Sequence, residues 1–382
     1  MTESRRFDAV STNPALLGIY EEGPVRSTSV LSLDALVLPG RDAFDAAARL
    51  GQLSDRVDDR RYRFVRGPML WRGNSSFASA ANVRWAAIQS REIAITLETR
   101  VASGGVVPDS LASLLGLERS GEAWQGAVSS RVISSILTFG EGKYLGEVPV
   151  FGRLWAGVAA KGWWVHEFAQ GQFIADAPAV RVYGETLLRG AAGAGLDGGF
   201  AGLAGGRVWY GLSASNLVQA SFDPRSSARQ RFVDVSSAGG EVEVTQEMGP
   251  GIRADDPDTA AVRAARELWD GLRYPSLLRI GMAVRSTWGT WALAANETLK
   301  RGGLDGAIKE PRRTVAWHDS ARRIAVAYGW GGGRSVATAA FSGGRCDRRW
   351  TAGVRRTAGL GYGLSFDLSL SDWSCNLHAG SR

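Results

Sequence analysis

The sequence predicts an all-β protein, a single antiparallel transmembrane β-barrel of about 14 strands, with a few short helices in its loops or lumen. Three observations carry this prediction. Many segments alternate strictly between apolar and small or polar residues. The alternating runs reach about nine to eleven residues, against about five or six in a usual strand. Tryptophan and tyrosine gather near the run ends, as at a membrane interface.

The clearest run lies near the C-terminus. Leu360, Tyr362, Leu364, Phe366, Leu368 and Leu370 share one face, and Gly361, Gly363, Ser365, Asp367 and Ser369 share the other. Eleven residues at about 3.3 Å each, tilted by about 40°, cover roughly the 25 Å apolar band of an outer membrane. Arg349–Val354 pairs with this run around a turn near Ala358. The same period recurs at Leu278, Ile280, Met282 and Val284, and at Trp291, Leu293 and Ala295. Further copies are Ile324, Val326, Tyr328 and Trp330; Val208, Tyr210, Leu212 and Ala214; Leu196 and Phe200; and Ile93, Ile95 and Leu97. Glycine-rich turns such as Gly205-Gly206 and Gly331-Gly332-Gly333 separate them. The interface aromatics expected from position are Trp163, Trp164, Trp288, Trp291, Tyr328, Trp330, Trp350 and Trp373.

Residues 41–57 have helical spacing, with Phe44, Ala47, Ala48 and Leu50 on one side. Residues 258–272 follow Pro257 and align Val262, Ala265, Leu268 and Trp269; Pro108–Leu117 is a shorter candidate. Ser221–Ser237 is polar and arginine-rich and reads as a long loop. The whole chain, 1–382, reads as one domain, with residues 1–22 as an N-terminal lumenal segment.

The composition is consistent with this reading. Glycine accounts for 49 of 382 residues, without a Gly-X-Y period, which excludes collagen. Only Lys143, Lys161, Lys300 and Lys309 are lysine, so most of the net charge of +7 is arginine. Many arginines occupy the small, polar face of the runs: Arg153, Arg279, Arg285 and Arg323. A polar lumen accommodates such residues, in pairs with Asp197, Glu98 and Asp367, whereas a lipid-facing position penalises them. That placement argues against nucleic acid as the partner of the basic charge. No segment has 18 consecutive apolar residues, so no transmembrane helix is expected, which leaves a barrel untouched. Met1-Thr-Glu-Ser-Arg-Arg lacks an apolar export core, so an exported barrel implies a signal upstream of Met1 or already removed.

Asn13-Pro14-Ala15-Leu16-Leu17-Gly18 resembles the Asn-Pro-Ala segment at the mature N-terminus of FadL-type outer-membrane hydrocarbon transporters and PorV-like proteins. Gly195-Leu196-Asp197-Gly198-Gly199-Phe200, followed by Val208–Asn216, looks like a strand pair of the same group. The resemblance implies an outer-membrane location, membrane lipid as surroundings, and passive uptake of hydrophobic or small amphipathic compounds past a lumenal plug. It assigns Asn13, Pro14, Leu16 and Leu17 to that plug, with Phe44 and Leu50 following on the path. PorV-like relatives imply an alternative: a filled barrel docked to a protein complex. A soluble β-rich binding protein is the second alternative.

Catalytic and metal chemistry are not expected. His166, His318 and His378 lie too far apart for a ligand pair, and no Cys-x-x-Cys occurs. Gly193-x-Gly195-x-x-Gly198 matches a dinucleotide fingerprint as text, but strand alternation continues through it where a helix would have to begin. No cofactor is therefore expected. Cys346 and Cys375 flank the last hairpin toward the same end, so a disulfide is expected in an oxidising compartment.

Overall fold

The computed structural model describes residues 12–20, 26–38, 61–65, 75–90, 92–107, 124–175, 180–222, 227–238, 241–253, 272–300, 311–319, 323–331, 334–345, 348–358 and 361–371. A short 3-10 helix, Pro14–Tyr20, precedes the strands. The strands are β1 (Arg26–Leu38), β2 (Arg61–Val65), β3 (Ser75–Ser90), β4 (Ile93–Val107), β5 (Trp124–Val148), β6 (Gly152–Ala175), β7 (Val180–Arg189), β8 (Ala191–Ala204) and β9 (Val208–Phe222). They continue as β10 (Ser227–Ala238), β11 (Glu241–Arg253), β12 (Ser276–Arg285), β13 (Gly289–Lys300), β14 (Arg313–Asp319), β15 (Ile324–Gly331), β16 (Arg334–Arg345), β17 (Arg348–Thr357) and β18 (Gly361–Ser371).

Fourteen of them close a ring. Antiparallel pairing runs β1, β3, β4, β5, β6, β8, β9, β12 and β13, then through β14 to β18 and back to β1. The closing pair β1–β18 runs from Ser29 against Ser371 to Val37 against Leu364. Closure removes every free edge from the ring, as a bilayer requires, because lipid offers no partner to an unpaired amide.

The four remaining strands extend this wall on one side. β7 and β8 form one strand bent at Gly190, whose φ of 81° suits glycine. The 24-residue β6 pairs with β8 along its lower part and with β7 above. β10 resumes the path of β9 and pairs with β7; β11 follows, and β2 pairs with β11. The polar segment Ser221–Ser237 therefore enters the sheet through the end of β9 and through β10, and is not a loop. Its alternation is weak because it rises beyond the apolar band, where neither face needs to be apolar.

The two ends of the barrel differ. Residues 91–92, 149–151, 205–207, 286–288, 320–323 and 346–347 connect strands at the end that also holds Ser29 and Ser371. The opposite end carries the ring's long connections 39–74, 108–123, 223–275 and 301–312, beside the short ones 332–333 and 358–360. Short turns at one end and long loops at the other are the pattern of outer-membrane barrels, whose short turns are periplasmic. The short-turn end is called lower below.

The burial pattern decides between membrane barrel and water-soluble sandwich. A sandwich buries its apolar face. Here Ile93, Ile95, Leu97, Leu137, Phe139, Val158, Leu196, Phe200, Ile280, Met282, Leu364 and Phe366 are all exposed. Arg84, Glu98, Thr96, Thr138, Asp197 and Ser213 on the other face are all buried. The apolar side faces outward and the polar side faces the lumen. Most of the expected interface aromatics lie outward, including Trp164, Trp288, Trp291, Tyr328, Trp330 and Trp350. Trp163 is an exception: it points inward and is 4% exposed, because its neighbour Trp164 takes the outward position. The proposed helices at 41–57, 258–272 and 108–117 lie outside the described residues, apart from Leu272, as does Trp373.

Candidate functional site in the lumen

The lowest layer of the lumen is the 3-10 helix itself. Pro14 opens it, where a missing amide hydrogen costs nothing. Asn13 caps it: its Oδ1 accepts the Ala15 N–H at 3.1 Å and its carbonyl accepts the Leu16 N–H at 3.0 Å. The Asn13 Nδ2 donates to the Phe200 carbonyl at 3.0 Å, tying the cap to β8. The helix rests on β5, β6 and β8, and glycine is what admits it. Gly142, Gly157 and Gly199 lie side by side on those strands through the register Gly142 with Gly157 and Gly157 with Gly199. A Cβ at Gly142 or Gly157 would overlap Pro14, and one at Gly199 would overlap Asn13. Backbone therefore packs on backbone, and Ala15, Leu16 and Leu17 are buried against Ala94, Trp155, Ala159 and Ala201.

Above the plug lies a charged layer. Arg84 donates from Nε and Nη2 to Glu98 Oε1, both at 3.0 Å. The other Glu98 oxygen takes Arg100 Nη2 and Asn82 Nδ2, each at 3.3 Å. Lys161 is paired with Asp197, whose Oδ1 accepts the Asn216 N–H at 2.7 Å. Asn216 has a φ of 54°, and its Nδ2 donates to the Pro275 carbonyl at 3.0 Å. Arg279 Nη1 donates to Ser215 Oγ at 2.9 Å. Arg84, Arg100, Lys161 and Arg279 against Glu98 and Asp197 leave the layer two charges positive.

The next layer is apolar again. Residues 272–275 turn into the lumen before β12 begins. Leu272 and Tyr274 pack with Val132, Ile136, Trp163, Val165, Phe168 and Leu188. Trp163 meets Tyr274 edge to face, with ring centroids 5.4 Å apart. The Tyr274 hydroxyl shares a 2.6 Å hydrogen bond with Ser134 Oγ, and burial holds it above its ordinary pKa, so it stays neutral. Gly193 and Gly195 are the floor on which the Trp163 indole lies. This explains the glycine spacing that mimics a nucleotide fingerprint.

The opposite wall, β14 to β18, is built differently. Its inward positions are mostly small, at Ala316, Ala325, Ala327, Thr338, Ala340, Ser342, Thr351, Gly353 and Ser365, with the larger His318, Val336 and Arg355 among them. Although they face the lumen, Ala316, Ala327, Thr338, Ala340, Ser342, Thr351 and Ser365 are half-exposed, and Ala325 is exposed. Ser342 Oγ and Thr351 Oγ1 share a 2.9 Å hydrogen bond. The plug helix packs on β5, β6 and β8, away from this wall, so solvent reaches these residues within the ring.

The residues singled out from sequence fall in several places. Asn13, Pro14, Leu16 and Leu17 are all buried in the lumenal 3-10 helix and its cap. Asp197 and Arg279 are in the charged layer. Arg153 and Arg285 are exposed, on inward positions at the lower rim. Arg323 directly precedes β15, and its N–H donates to Asp319 Oδ1 at 2.6 Å. Asp367 pairs in register with Asp34 and Thr351. Phe44, Leu50, Cys346 and Cys375 lie outside the described residues. Arg84, Arg100 and Tyr274 were not anticipated. Lys161 carried a signal, as the one charge inside the apolar stretch Leu154–Val165.

No family model matches the chain, and no curated protein matches it. Several solved structures do resemble it. The TodX deltaS2S3 mutant monoaromatic hydrocarbon channel is 12% identical, with a TM-score of 0.48, over 95% of this chain and 94% of that one. The translocator domain of the autotransporter NalP from Neisseria meningitidis is 9% identical, with a TM-score of 0.34, over 96% and 93%. A Pseudomonas aeruginosa FadL homologue is 9% identical, with a TM-score of 0.24, over 96% and 93%. The fold itself rests on the closed strand ring and its inverted burial, and the solved structures similar to this chain include TodX and FadL homologues.

Proposed function

We propose that this chain is an outer-membrane β-barrel that conducts hydrophobic or small amphipathic molecules passively, without catalysis. One observation carries the reading: most inward residues of β14 to β18, apart from His318, Val336 and Arg355, are small and solvent-reached, while the N-terminal helix and the charged layer occupy the opposite side. This reading places the solute's path in a crescent between them. The Arg84–Glu98–Arg100 and Lys161–Asp197 groups satisfy one another, so they hold the wall without binding a passing apolar solute.

Uptake of labelled toluene by cells whose lipopolysaccharide-covered outer membrane holds the chain tests this, since a plain phospholipid bilayer passes toluene unaided. Ala327→Trp fills the crescent and is expected to lower the uptake rate several-fold. Gly157→Leu displaces Pro14 from the wall and is expected to change the rate and expose the N-terminal segment to protease. Uptake identical to that of the same cells without the chain, or untouched by Ala327→Trp, overturns the proposal. The raised sheet of β7, β10, β11 and β2 supports a second reading, a docking barrel. A stoichiometric partner that leaves on removal of residues 227–253, with uptake absent, would favour it.

A further inference from the structure

The outer wall of β3 to β7 carries a polar device that neither the plug nor the crescent uses. On β5 the outward positions read Arg131, Ile133, Ser135, Leu137, Phe139, Glu141 and Lys143. From Arg131 to Glu141 is ten residues, which span roughly 25 Å of membrane normal at a tilt of about 40°. Arg131 therefore sits at the upper boundary of the apolar band and Glu141 at the lower one. At that upper boundary Arg131 and Arg189 both pair with Glu167, Arg189 at 3.1 Å. The carboxylate side chain is only 17% exposed, whereas Arg131 is 46% and Arg189 59% exposed. What the surface presents is thus positive. Arg229, also exposed, is two residues along β10 from Ser227, the register partner of Arg189. Beyond it, Arg231 and Glu185 are register partners and add no net charge.

A line of hydrogen bonds leads across the outer wall into this cluster. Trp85 Nε1 donates to Thr99 Oγ1 at 2.8 Å, Thr99 Oγ1 and Ser135 Oγ share a 3.2 Å bond, and Ser135 Oγ meets His166 Nε2 at 2.8 Å. His166 adjoins Glu167. Below this line the wall is continuously apolar, through Leu97, Leu137, Phe139, Val158 and Trp164. Positive guanidinium groups at the top of an apolar strip, with hydroxyl and ring nitrogen atoms just beneath, match a lipid whose acyl chains lie on the wall. Its ester or sugar oxygens would meet the hydroxyl line and its phosphate would meet the arginines. Arginine forks phosphate in a planar, paired geometry.

We propose that Arg131, Arg189 and Arg229 form a site for the phosphate headgroup of an outer-leaflet lipid, seated on the exterior of β3 to β7. This rests on the barrel reading and on the long-loop end facing outward. Native mass spectrometry of the full chain in detergent tests it, with diphosphorylated lipid A, the same lipid without phosphates, and inorganic phosphate. The wild type is expected to retain one diphosphorylated lipid. The triple variant R131Q/R189Q/R229Q should retain it about ten-fold less or worse, a loss of about 1.4 kcal/mol or more. The triple lysine variant, which keeps the charge, should lie between the two. Equal retention of the phosphate-free lipid, equal retention by the glutamine variant, or capture of inorganic phosphate in place of the lipid overturns the site. The same samples show whether the chain needs detergent and shifts on a gel when heated. A detergent-free soluble chain would overturn the barrel reading, whereas a heat-modifiable barrel without lipid selectivity would overturn only the site.

Discussion

The two sides of the barrel solve the same closure problem with opposite lumens. Strands β3 to β9 turn large and charged residues inward and bury them: Arg84, Glu98, Trp155, Trp163, Asp197. Strands β14 to β18 turn Ala316, Ala327, Ala340, Gly353 and Ser365 inward and leave most of them in contact with solvent. The outer faces of the two sides are alike, with Leu196 and Phe200 on one and Leu364 and Phe366 on the other. The wall's outer chemistry is dictated by lipid and cannot vary, so specialisation is confined to the inner face. One side became a scaffold that grips the plug; the other stayed thin.

The largest expected effect separates the two inner faces. Asp197→Ala strands Lys161 in a buried position and frees the N–H of Asn216, which holds a left-handed backbone. Removing one partner of such a pair costs about 3–5 kcal/mol. Denaturant titration of the chain folded into vesicles should show that loss. A cost under about 1 kcal/mol would mean that the charged layer is hydrated and not a packed scaffold.

A smaller effect separates inner from outer surface. Leu137 is 53% exposed, midway between Arg131 and Glu141, and a soluble protein would tolerate arginine there within about 0.5 kcal/mol. Toward lipid, Leu137→Arg is expected to cost about 2–4 kcal/mol. Ala316→Arg, inward on β14 and half-exposed, should cost far less in the same titration. Equal costs at the two positions would break the inside-outside assignment.

How much of this was legible depended on which force acts on each residue. The apolar period from Leu360 to Leu370 specified β18 directly, because lipid imposes one face without exception. Strand number was readable for the same reason: each span must announce its lipid face. β10 was not readable, since Arg229, Arg231 and Asp234 lie above the band, where nothing enforces alternation. In the site, Asp197 and Arg279 could be placed inward by parity alone. Trp163 could not be told from Trp164, because the distinction depends on Gly193 and Gly195, a strand away, opening space for one indole. The N-terminal segment stood out as a motif, but its seat in the lumen was not legible. The row Gly142, Gly157 and Gly199 comes from three strands and exists only once their register is set.

The smallest expected effect belongs to the thin wall. Ser342 and Thr351 face the lumen opposite each other on β16 and β17 and share one 2.9 Å hydrogen bond between side chains. Both are half-exposed, so water replaces the lost partner in Ser342→Ala. The expected cost is about 0.5–1 kcal/mol, the net value of a neutral hydrogen bond between groups that water can reach. If that wall were as tightly packed as the β5–β8 side, water could not take the place of the lost hydroxyl, and the cost would rise toward about 3 kcal/mol. A result near the upper figure would show the crescent to be filled. A result near the lower one, with Ala327→Trp slowing uptake, would show that the solvent-reached wall and the transport path are the same surface.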